Sequence, residues 1–295
     1  MRFEGVMPAA MTPFTSENEV DVAALRANVE WMREAGCTGF VACGTMGEGG
    51  SLSQAERRLV VETVVGASDA PVTAGVSAGT PGEVLRYAAD AEAAGAQALM
   101  LLPPLGYAAD ERELVAHYRA LAEATALPIM AYNNPAASGG TDMAPETIGR
   151  LAREVDAVVA IKECSGDARR LAALLGLDAG LEVLVGGDDW ALEGFCAGAT
   201  GWIAGVAVVA PRECVELFEA CRAGELERAR EIYQRLLPLA RLDMTPKLVQ
   251  YFKAAQDAVG RVGGPCRPPR MELTAEERQI LDAALGALRG QEVAA

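Results

Sequence analysis

The sequence alternates short apolar runs with longer amphipathic stretches along most of its length. The apolar runs are three to five residues long, many contain β-branched residues, and Gly, Pro or Thr closes most of them. Such runs are typical of strands that are buried on both faces of a parallel sheet. The predicted strands are Val6–Ala10, Gly39–Ala42, Val72–Ala74, Ala98–Leu102, Ile129–Tyr132, Val158–Ile161, Val183–Val185 and Gly201–Ala204.

The stretches between these runs have the apolar spacing of amphipathic helices. Several begin just after a residue that commonly caps a helix, namely Asp21, Ser53, Thr80 or Asp110, and Pro81 occupies a first helical position. These signals predict helices between successive strands. Examples of the predicted helices are Val22–Glu34, Gln54–Val65, Pro81–Ala93, Glu111–Glu123 and Asp188–Cys196.

Eight strand–helix units at nearly regular spacing predict an α/β fold of the (β/α)8 TIM-barrel type over residues 1–223. The alternative is an open, doubly wound sheet, but no Gly-x-Gly-x-x-Gly follows the first strand. Three more helical patterns follow, over residues 225–239, 247–258 and 275–288. They predict a C-terminal helical extension over residues 224–295.

Charge narrows the range of partners for this 295-residue chain. The formal net charge of -15 repels nucleic-acid phosphates and anionic lipid, so neither nucleic acid nor a membrane is expected as a partner. The N-terminal residues lack the pattern of a signal peptide, and no segment is apolar for long enough to span a membrane. We therefore expect a cytoplasmic protein.

Cysteine and histidine usage excludes several kinds of site. The seven cysteines include no Cys-x-x-Cys pair, which indicates a reduced protein without a disulfide framework. His117 is the single histidine, so a histidine-rich metal site or a Ser/His/Asp triad is not expected. Cys43 and Cys164 are read as small buried residues, and His117 as a surface or packing residue.

Lys162 is the first candidate for chemistry. The chain has three lysines, and Lys247 and Lys253 fall in an amphipathic C-terminal pattern where a solvated face is expected. Lys162 instead ends the sixth predicted strand, and barrel active sites lie at the C-terminal ends of the strands. Burial there would lower the pKa of the ammonium and give a nucleophilic amine that attacks ketones. A structural pair with Glu163 or Asp167 is the alternative.

Two weaker signals occur at the ends of other strands. Tyr132 ends the fifth strand, where its phenol could transfer protons beside Lys162 and where that cation would help to lower its pKa. The segment Gly44-Thr45-Met46-Gly47-Glu48 follows the second strand, and its exposed N–H groups could bind a carboxylate. A buried structural tyrosine and an ordinary tight turn are the alternatives, and Glu48 is expected to brace the loop.

Together these motifs resemble the dihydrodipicolinate synthase / N-acetylneuraminate lyase family over nearly the whole chain. The resemblance rests on Gly44–Glu48, Tyr132-Asn133-Asn134-Pro135, Ile161-Lys162-Glu163, Gly187-Asp188 and Gly201-Trp202-Ile203, with Ala10–Phe14 near the start. It implies a Schiff base on Lys162, formed with a small 2-oxo acid and without a cofactor or metal. It also implies homotetramers or homodimers.

The resemblance further implies a role for each site residue. It makes Lys162, Tyr132 and Thr45 catalytic. The substrate would be bound by Gly44, Thr45, Met46, Gly187, Asp188 and Ile203. Asp188 could equally cap the helix that it begins.

Three departures from the family pattern bear on the substrate. Met46 stands where dihydrodipicolinate synthases have a second hydroxyl residue, Ala137 stands where they have an arginine for a distal carboxylate, and Tyr107 is shifted from their relay tyrosine. We therefore expect an aldolase or a dehydratase/deaminase acting on another 2-oxo acid or a cyclic imino acid. Candidates are 4-hydroxy-pyrroline-2-carboxylate, whose deaminases have a similar Gly-Ser-Met-Gly-Asp loop, and a 2-keto-3-deoxy sugar acid.

Two alternatives remain open. The chain could be a 4-hydroxy-tetrahydrodipicolinate synthase, which condenses pyruvate with aspartate semialdehyde. It could also be a catalytically inactive barrel that acts as a small-molecule sensor, since the fold alone proves no chemistry.

Overall fold

Eight parallel strands form a barrel in the computed structural model, which describes residues 2–290. Each strand pairs with its neighbours in the order β1-β8-β7-β6-β5-β4-β3-β2. A bridge between Ala9 and Val41 closes the barrel between β1 and β2. The predicted (β/α)8 fold is therefore confirmed. The strands are β1 (Gly5–Pro8), β2 (Phe40–Ala42), β3 (Val72–Gly75), β4 (Ala98–Leu101), β5 (Ile129–Asn133), β6 (Val158–Glu163), β7 (Glu182–Val185) and β8 (Gly201–Ala204).

Eight helices surround the barrel, one after each strand. The side chains of Asp21, Ser53, Thr80 and Asp110 all accept a hydrogen bond from a first-turn N–H, which confirms these predicted caps. The seventh helix begins at Ala191, because a 3₁₀ turn occupies Asp188–Trp190. The helices are α1 (Val22–Glu34), α2 (Gln54–Ala67), α3 (Pro81–Ala93), α4 (Glu111–Ala122), α5 (Pro145–Glu154), α6 (Arg169–Leu175), α7 (Ala191–Ala197) and α8 (Pro211–Arg222).

Three further helices follow the barrel, as the sequence predicts. They are α9 (Leu226–Ala240), α10 (Leu248–Ala258) and α11 (Ala275–Leu288), with a 3₁₀ turn at Arg241–Met244 between α9 and α10. The predicted boundary at 223/224 falls between α8 and α9. Met1 and residues 291–295, which the two predicted segments include, lie outside the described residues. Within residues 2–290, none of the helices combines the length and apolar character that a membrane span needs.

The parallel register brings the predicted site residues to one rim. Tyr132 in β5 lies directly beside Lys162 in β6. The Gly44–Glu48 loop follows β2, and in a parallel barrel the segments after every strand meet at the same end. Residues far apart in sequence therefore surround one opening.

Candidate active site

A cavity of about 630 Å³ opens at the C-terminal end of the strands. Six of the predicted site residues line it: Gly44, Thr45, Met46, Tyr132, Lys162 and Ile203. Most of the remaining wall is apolar and includes Ala136 and Ala137. Within residues 2–290, Lys162 and Asp243 are the charged side chains that line this cavity.

Lys162 is enclosed and points into the cavity. Its residue is 7 % exposed, and its Nζ lies 4.2 Å from the centroid of the Tyr132 ring. The alternative that it pairs with Glu163 or Asp167 is wrong. Glu163 accepts hydrogen bonds from Asn133 Nδ2 and the Ser165 N–H, and Asp167 pairs with Arg169.

The expectation of a lowered pKa at Lys162 is wrong in its net direction. Burial does lower the pKa, but the acidic groups around the amine, Tyr132, Cys164 and Asp243, outweigh it, and the pKa of Lys162 is raised. Lys162 is therefore an ammonium at neutral pH. A proton has to leave this group before it can attack a carbonyl carbon.

Tyr132 is a neutral phenol placed for proton transfer. Its hydroxyl accepts a hydrogen bond from Asn134 Nδ2 at 2.8 Å, so its own proton is free for another acceptor. Burial raises the pKa of Tyr132, and the nearby Lys162 lowers it as expected but by less, so the net pKa is raised. The phenol can give a proton to an oxygen at Lys162 and take it back.

The loop after β2 is a tight turn that presents backbone donors. The Glu48 N–H bonds to the Thr45 carbonyl at 3.1 Å. Among the described residues, the N–H groups of Thr45 and Met46 have no backbone hydrogen-bond partner. A Cβ on Gly49 would overlap the carbonyl of Cys43, so the loop can pack this closely only with glycine there. Two unpaired N–H groups at a cavity suit an anion.

Glu48 stabilises this loop from its buried side. It is buried, and its Oε1 pairs with Lys253 Nζ at 2.8 Å while its Oε2 pairs with Arg270 at 3.3 Å. The prediction of a solvated Lys253 is therefore wrong, because α10 packs this side chain against the loop. Lys247 is partly exposed and pairs with Glu277.

Gly187 and Asp188 do not line the cavity, and Gly186 occupies that part of the wall. A Cβ on Gly187 would overlap the Trp190 ring. The buried Asp188 carboxylate accepts hydrogen bonds from Trp202 Nε1 at 3.0 Å, from the Gly205 N–H at 3.1 Å and from the Val206 N–H at 2.6 Å. Asp188 thus connects the end of β7 to the segment after β8 through hydrogen bonds. Its side chain does not cap the helical turn that it begins.

Sequence reasoning assigned no site role to several polar residues of the cavity, among them Asn134, Cys164 and Asp243. Asn134 holds Tyr132, and its place next to that tyrosine was a usable signal. Cys164 is close enough to Lys162 to affect its charge, but burial raises the pKa of the thiol to about 12 and keeps it neutral. Asp243 comes from the turn after α9, and nothing in the local pattern distinguishes it from other acidic residues of the extension.

A (β/α)8 barrel with an enclosed lysine and a tyrosine at its mouth has the architecture of the aldolase-type lyases. Comparison with known proteins identifies the group within this class. The chain belongs to the dihydrodipicolinate synthetase family, which it matches over residues 2–288.

Named relatives cover nearly the full length. The chain is 39 % identical over 284 residues to the 4-hydroxy-tetrahydrodipicolinate synthase of Methanothrix thermoacetophila, covering 95 % of both chains. It is 37 % identical to the enzyme of the same name from Methanopyrus kandleri, covering 95 % of this chain and 94 % of the other. The dihydrodipicolinate synthase from Acinetobacter baumannii complexed with pyruvate superposes with a TM-score of 0.91 at 30 % identity, covering 98 % and 99 %.

Family membership establishes the class of activity. The chain is an aldolase-type lyase, and enzymes of this family form a covalent Schiff base between pyruvate and a lysine without a metal cofactor. In residues 2–290, no group of three or more His, Cys, Asp or Glu side chains is arranged to hold a metal ion.

Proposed function

We propose that Lys162 forms the Schiff base with a small 2-oxo acid in this protein. Its position supports this role, because it is the one amine among the cavity-lining residues and lies beside the Tyr132 phenol. The substrate carboxylate would bind the Thr45 and Met46 N–H groups and the Thr45 hydroxyl. Gly44 would belong to the turn that exposes these donors to the cavity. Ile203 and Gly186 would shape the far wall.

The chemistry begins with attack of the neutral Lys162 amine on the C2 carbonyl. Tyr132 gives a proton to the carbinolamine oxygen, which leaves as water, and an iminium forms. The iminium withdraws electrons, so a C3 proton or a C3–C4 bond can break to give an enamine. Loss of water or ammonia makes the enzyme a dehydratase or deaminase, and C–C cleavage makes it an aldolase.

We further propose that the natural substrate has no second, distal carboxylate of the kind that an arginine would bind. The observation behind this proposal is that no arginine of residues 2–290 lines the cavity, and that Ala136 and Ala137 form its wall after β5. A hydroxylated 2-keto-3-deoxy sugar acid or 4-hydroxy-pyrroline-2-carboxylate fits such a wall better than a second anionic end.

The second candidate is 4-hydroxy-tetrahydrodipicolinate synthase. It is favoured by the names of the relatives in Methanothrix thermoacetophila and Methanopyrus kandleri, at 39 % and 37 % identity. Both candidates share the Lys162 step and differ in what reacts with the enamine.

The Schiff base is tested by trapping. The protein is incubated with pyruvate, reduced with borohydride and weighed by mass spectrometry. We expect an adduct that survives Lys247→Ala, which removes a partly exposed lysine, and that disappears in Lys162→Ala. An adduct that persists in Lys162→Ala, or no adduct in the wild type, contradicts the proposal, and the second result would favour a sensor.

The substrate is tested with a panel. Hydroxylated 2-keto-3-deoxy acids and 4-hydroxy-pyrroline-2-carboxylate are followed for release of pyruvate, ammonia or an aldehyde. Condensation of pyruvate with aspartate semialdehyde is measured in parallel. Turnover of the semialdehyde above all other compounds would overturn our first choice and support the second candidate.

We propose a homotetramer or homodimer in the cytoplasm. Support for the location comes from seven free cysteines, of which four are buried. The proposed oligomeric state rests on the family resemblance. Sedimentation at several protein concentrations measures it.

A further inference from the structure

Asp243 places a carboxyl group in the same cavity as Lys162. It lies in the 3₁₀ turn Arg241–Met244, which joins α9 to α10, and is partly exposed to the cavity. Among the described residues it forms no salt bridge, with Lys162 or with any other cation, within 4.0 Å. The carboxyl and the amine therefore line one cavity, with more than 4.0 Å between the Lys162 nitrogen and the carboxyl oxygens of Asp243.

Gly205 shows where this carboxyl points. A Cβ added to Gly205 would lie 2.6 Å from Asp243 Oδ1, 2.7 Å from the Met46 methyl carbon and 3.0 Å from Asp188 Oδ2. Asp243 thus approaches the β8 wall beside Met46. A thioether cannot exchange protons, whereas the Asp243 carboxyl beside it can.

Several charged groups face Asp243 from the elements around it. Burial raises its pKa to about 6, Lys162 in β6 lowers it, Asp189 raises it, and the Asp188 N–H after β7 lowers it. The neighbouring Asp188 carboxyl is itself buried and bonded to three donors, so it is not available to a substrate. Asp243 can hold or release a proton near neutral pH, which suits a general acid or base.

We propose that Asp243 is the catalytic group that exchanges a proton with the C4 oxygen of the Schiff-base-bound substrate. The proposal rests on the Lys162 Schiff base proposed above. In dehydration, the C3–H bond breaks to give the enamine, whose electrons then form C3=C4 as the C4–O bond breaks, and the leaving oxygen takes the Asp243 proton to become water. In aldol cleavage, the carboxylate takes the C4 hydroxyl proton as C3–C4 breaks, giving an aldehyde and the enamine.

This assignment predicts a substrate class. A 2-oxo acid with an oxygen on C4 is recognised at one end by Lys162 and the loop N–H groups, and at the other by Asp243. A carboxylate at the far end would face the Asp243 carboxylate, and Lys162, the one cation that lines the cavity within residues 2–290, would already be bound to C2. The part of the substrate beyond C3 is therefore uncharged and hydroxylated.

The test separates the two halves of the reaction. Pyruvate has no C4, so trapping of pyruvate and exchange of its methyl protons with deuterium report on Lys162 alone. Turnover of the C4-oxygenated compound that the wild type transforms reports on both groups. Asp243→Asn should still trap pyruvate to the same final extent, and at least as fast as the wild type because loss of this charge lowers the pKa of Lys162. It should lose about 100-fold or more in kcat and lose the limb of the pH profile near pH 6.

Asp189→Asn is the matched control, because it removes a neighbouring carboxylate whose side chain does not line the cavity, and it should keep both activities. Asp243→Ala is a second variant, whose turnover should be partly restored by added formate. The inference is overturned if folded Asp243→Asn keeps wild-type kcat, if it fails to trap pyruvate, or if a wild type that traps pyruvate transforms no C4-oxygenated compound. Failure of the wild type to trap pyruvate would instead overturn the proposed function.

Discussion

In the proposed mechanism, the proton on Lys162 controls how fast the site reacts with a 2-oxo acid. Its pKa is raised because Tyr132, Cys164 and Asp243 outweigh burial. The neutral amine is then a minor form at pH 7. As long as the pH is below the pKa, the neutral fraction grows about tenfold for each unit by which the pH rises.

We therefore predict that the rate of adduct formation with pyruvate rises continuously between pH 7 and pH 9. Rapid mixing followed by borohydride reduction at each pH measures this rate. A rate that stops rising near pH 7 would contradict this prediction. It would show that burial outweighs the nearby acidic groups and that the pKa of Lys162 is lowered.

Ala137 lines the cavity in the segment after β5. We predict that Ala137→Arg lowers the KM for aspartate semialdehyde, because a guanidinium at this wall can form charge-assisted hydrogen bonds with the distal carboxylate. Such a bond contributes about 1.5–3 kcal/mol, or roughly 10- to 100-fold in KM. Ala137→Gln controls for side-chain size, and an equal gain in that variant would rule out a charge effect.

At the scale of elements, the loop after β2 depends on α10. The Glu48–Lys253 ion pair is fully enclosed, with both side chains at most 2 % exposed. Removing one partner leaves a buried charge that is only partly compensated.

We predict that Lys253→Met lowers the free energy of unfolding by about 3–5 kcal/mol, as measured by urea denaturation. Adding Glu48→Gln to the same chain should recover part of this loss. Lys247→Met, which breaks the half-exposed pair with Glu277, should cost at most about 1 kcal/mol. Equal losses for the two lysines would contradict the distinction between buried and exposed pairs.

The strand-end residues could be predicted from sequence, whereas the contributions of the extension could not. Lys162 and Tyr132 end apolar runs, and parallel pairing alone places them side by side. Asp243 and Lys253 lie in or next to amphipathic helices, and their patterns do not show which face packs over the barrel mouth. The pKa direction of Lys162 failed for the same reason, because Asp243, one of the groups that raise it, comes from the extension.

At the scale of the whole molecule, the extension is part of the enzyme and not an appendage. Buried residues of α9 and α10, such as Leu236, Leu239 and Phe252, belong to the same apolar core as the barrel. The extension also supplies Asp243 and the partner of Glu48.

We predict that a chain ending at Gly224 does not fold cooperatively. It would expose apolar surface of the barrel and leave Glu48 buried without Lys253. Circular dichroism during heating should show no sharp transition for this fragment, whereas the full chain should show one. A fragment that melts sharply would establish residues 1–223 as an independent domain.

The crowding around Gly205 also indicates where this enzyme could be redesigned. The β8 side of the opening is crowded, since even one methyl group on residue 205 would force the side chains of Asp243 and Met46 to shift. The side after β5 is bounded by small residues on a connecting segment, Ala136 and Ala137. Variants selected to accept bulkier compounds should therefore accumulate changes after β5 and leave residue 205 untouched.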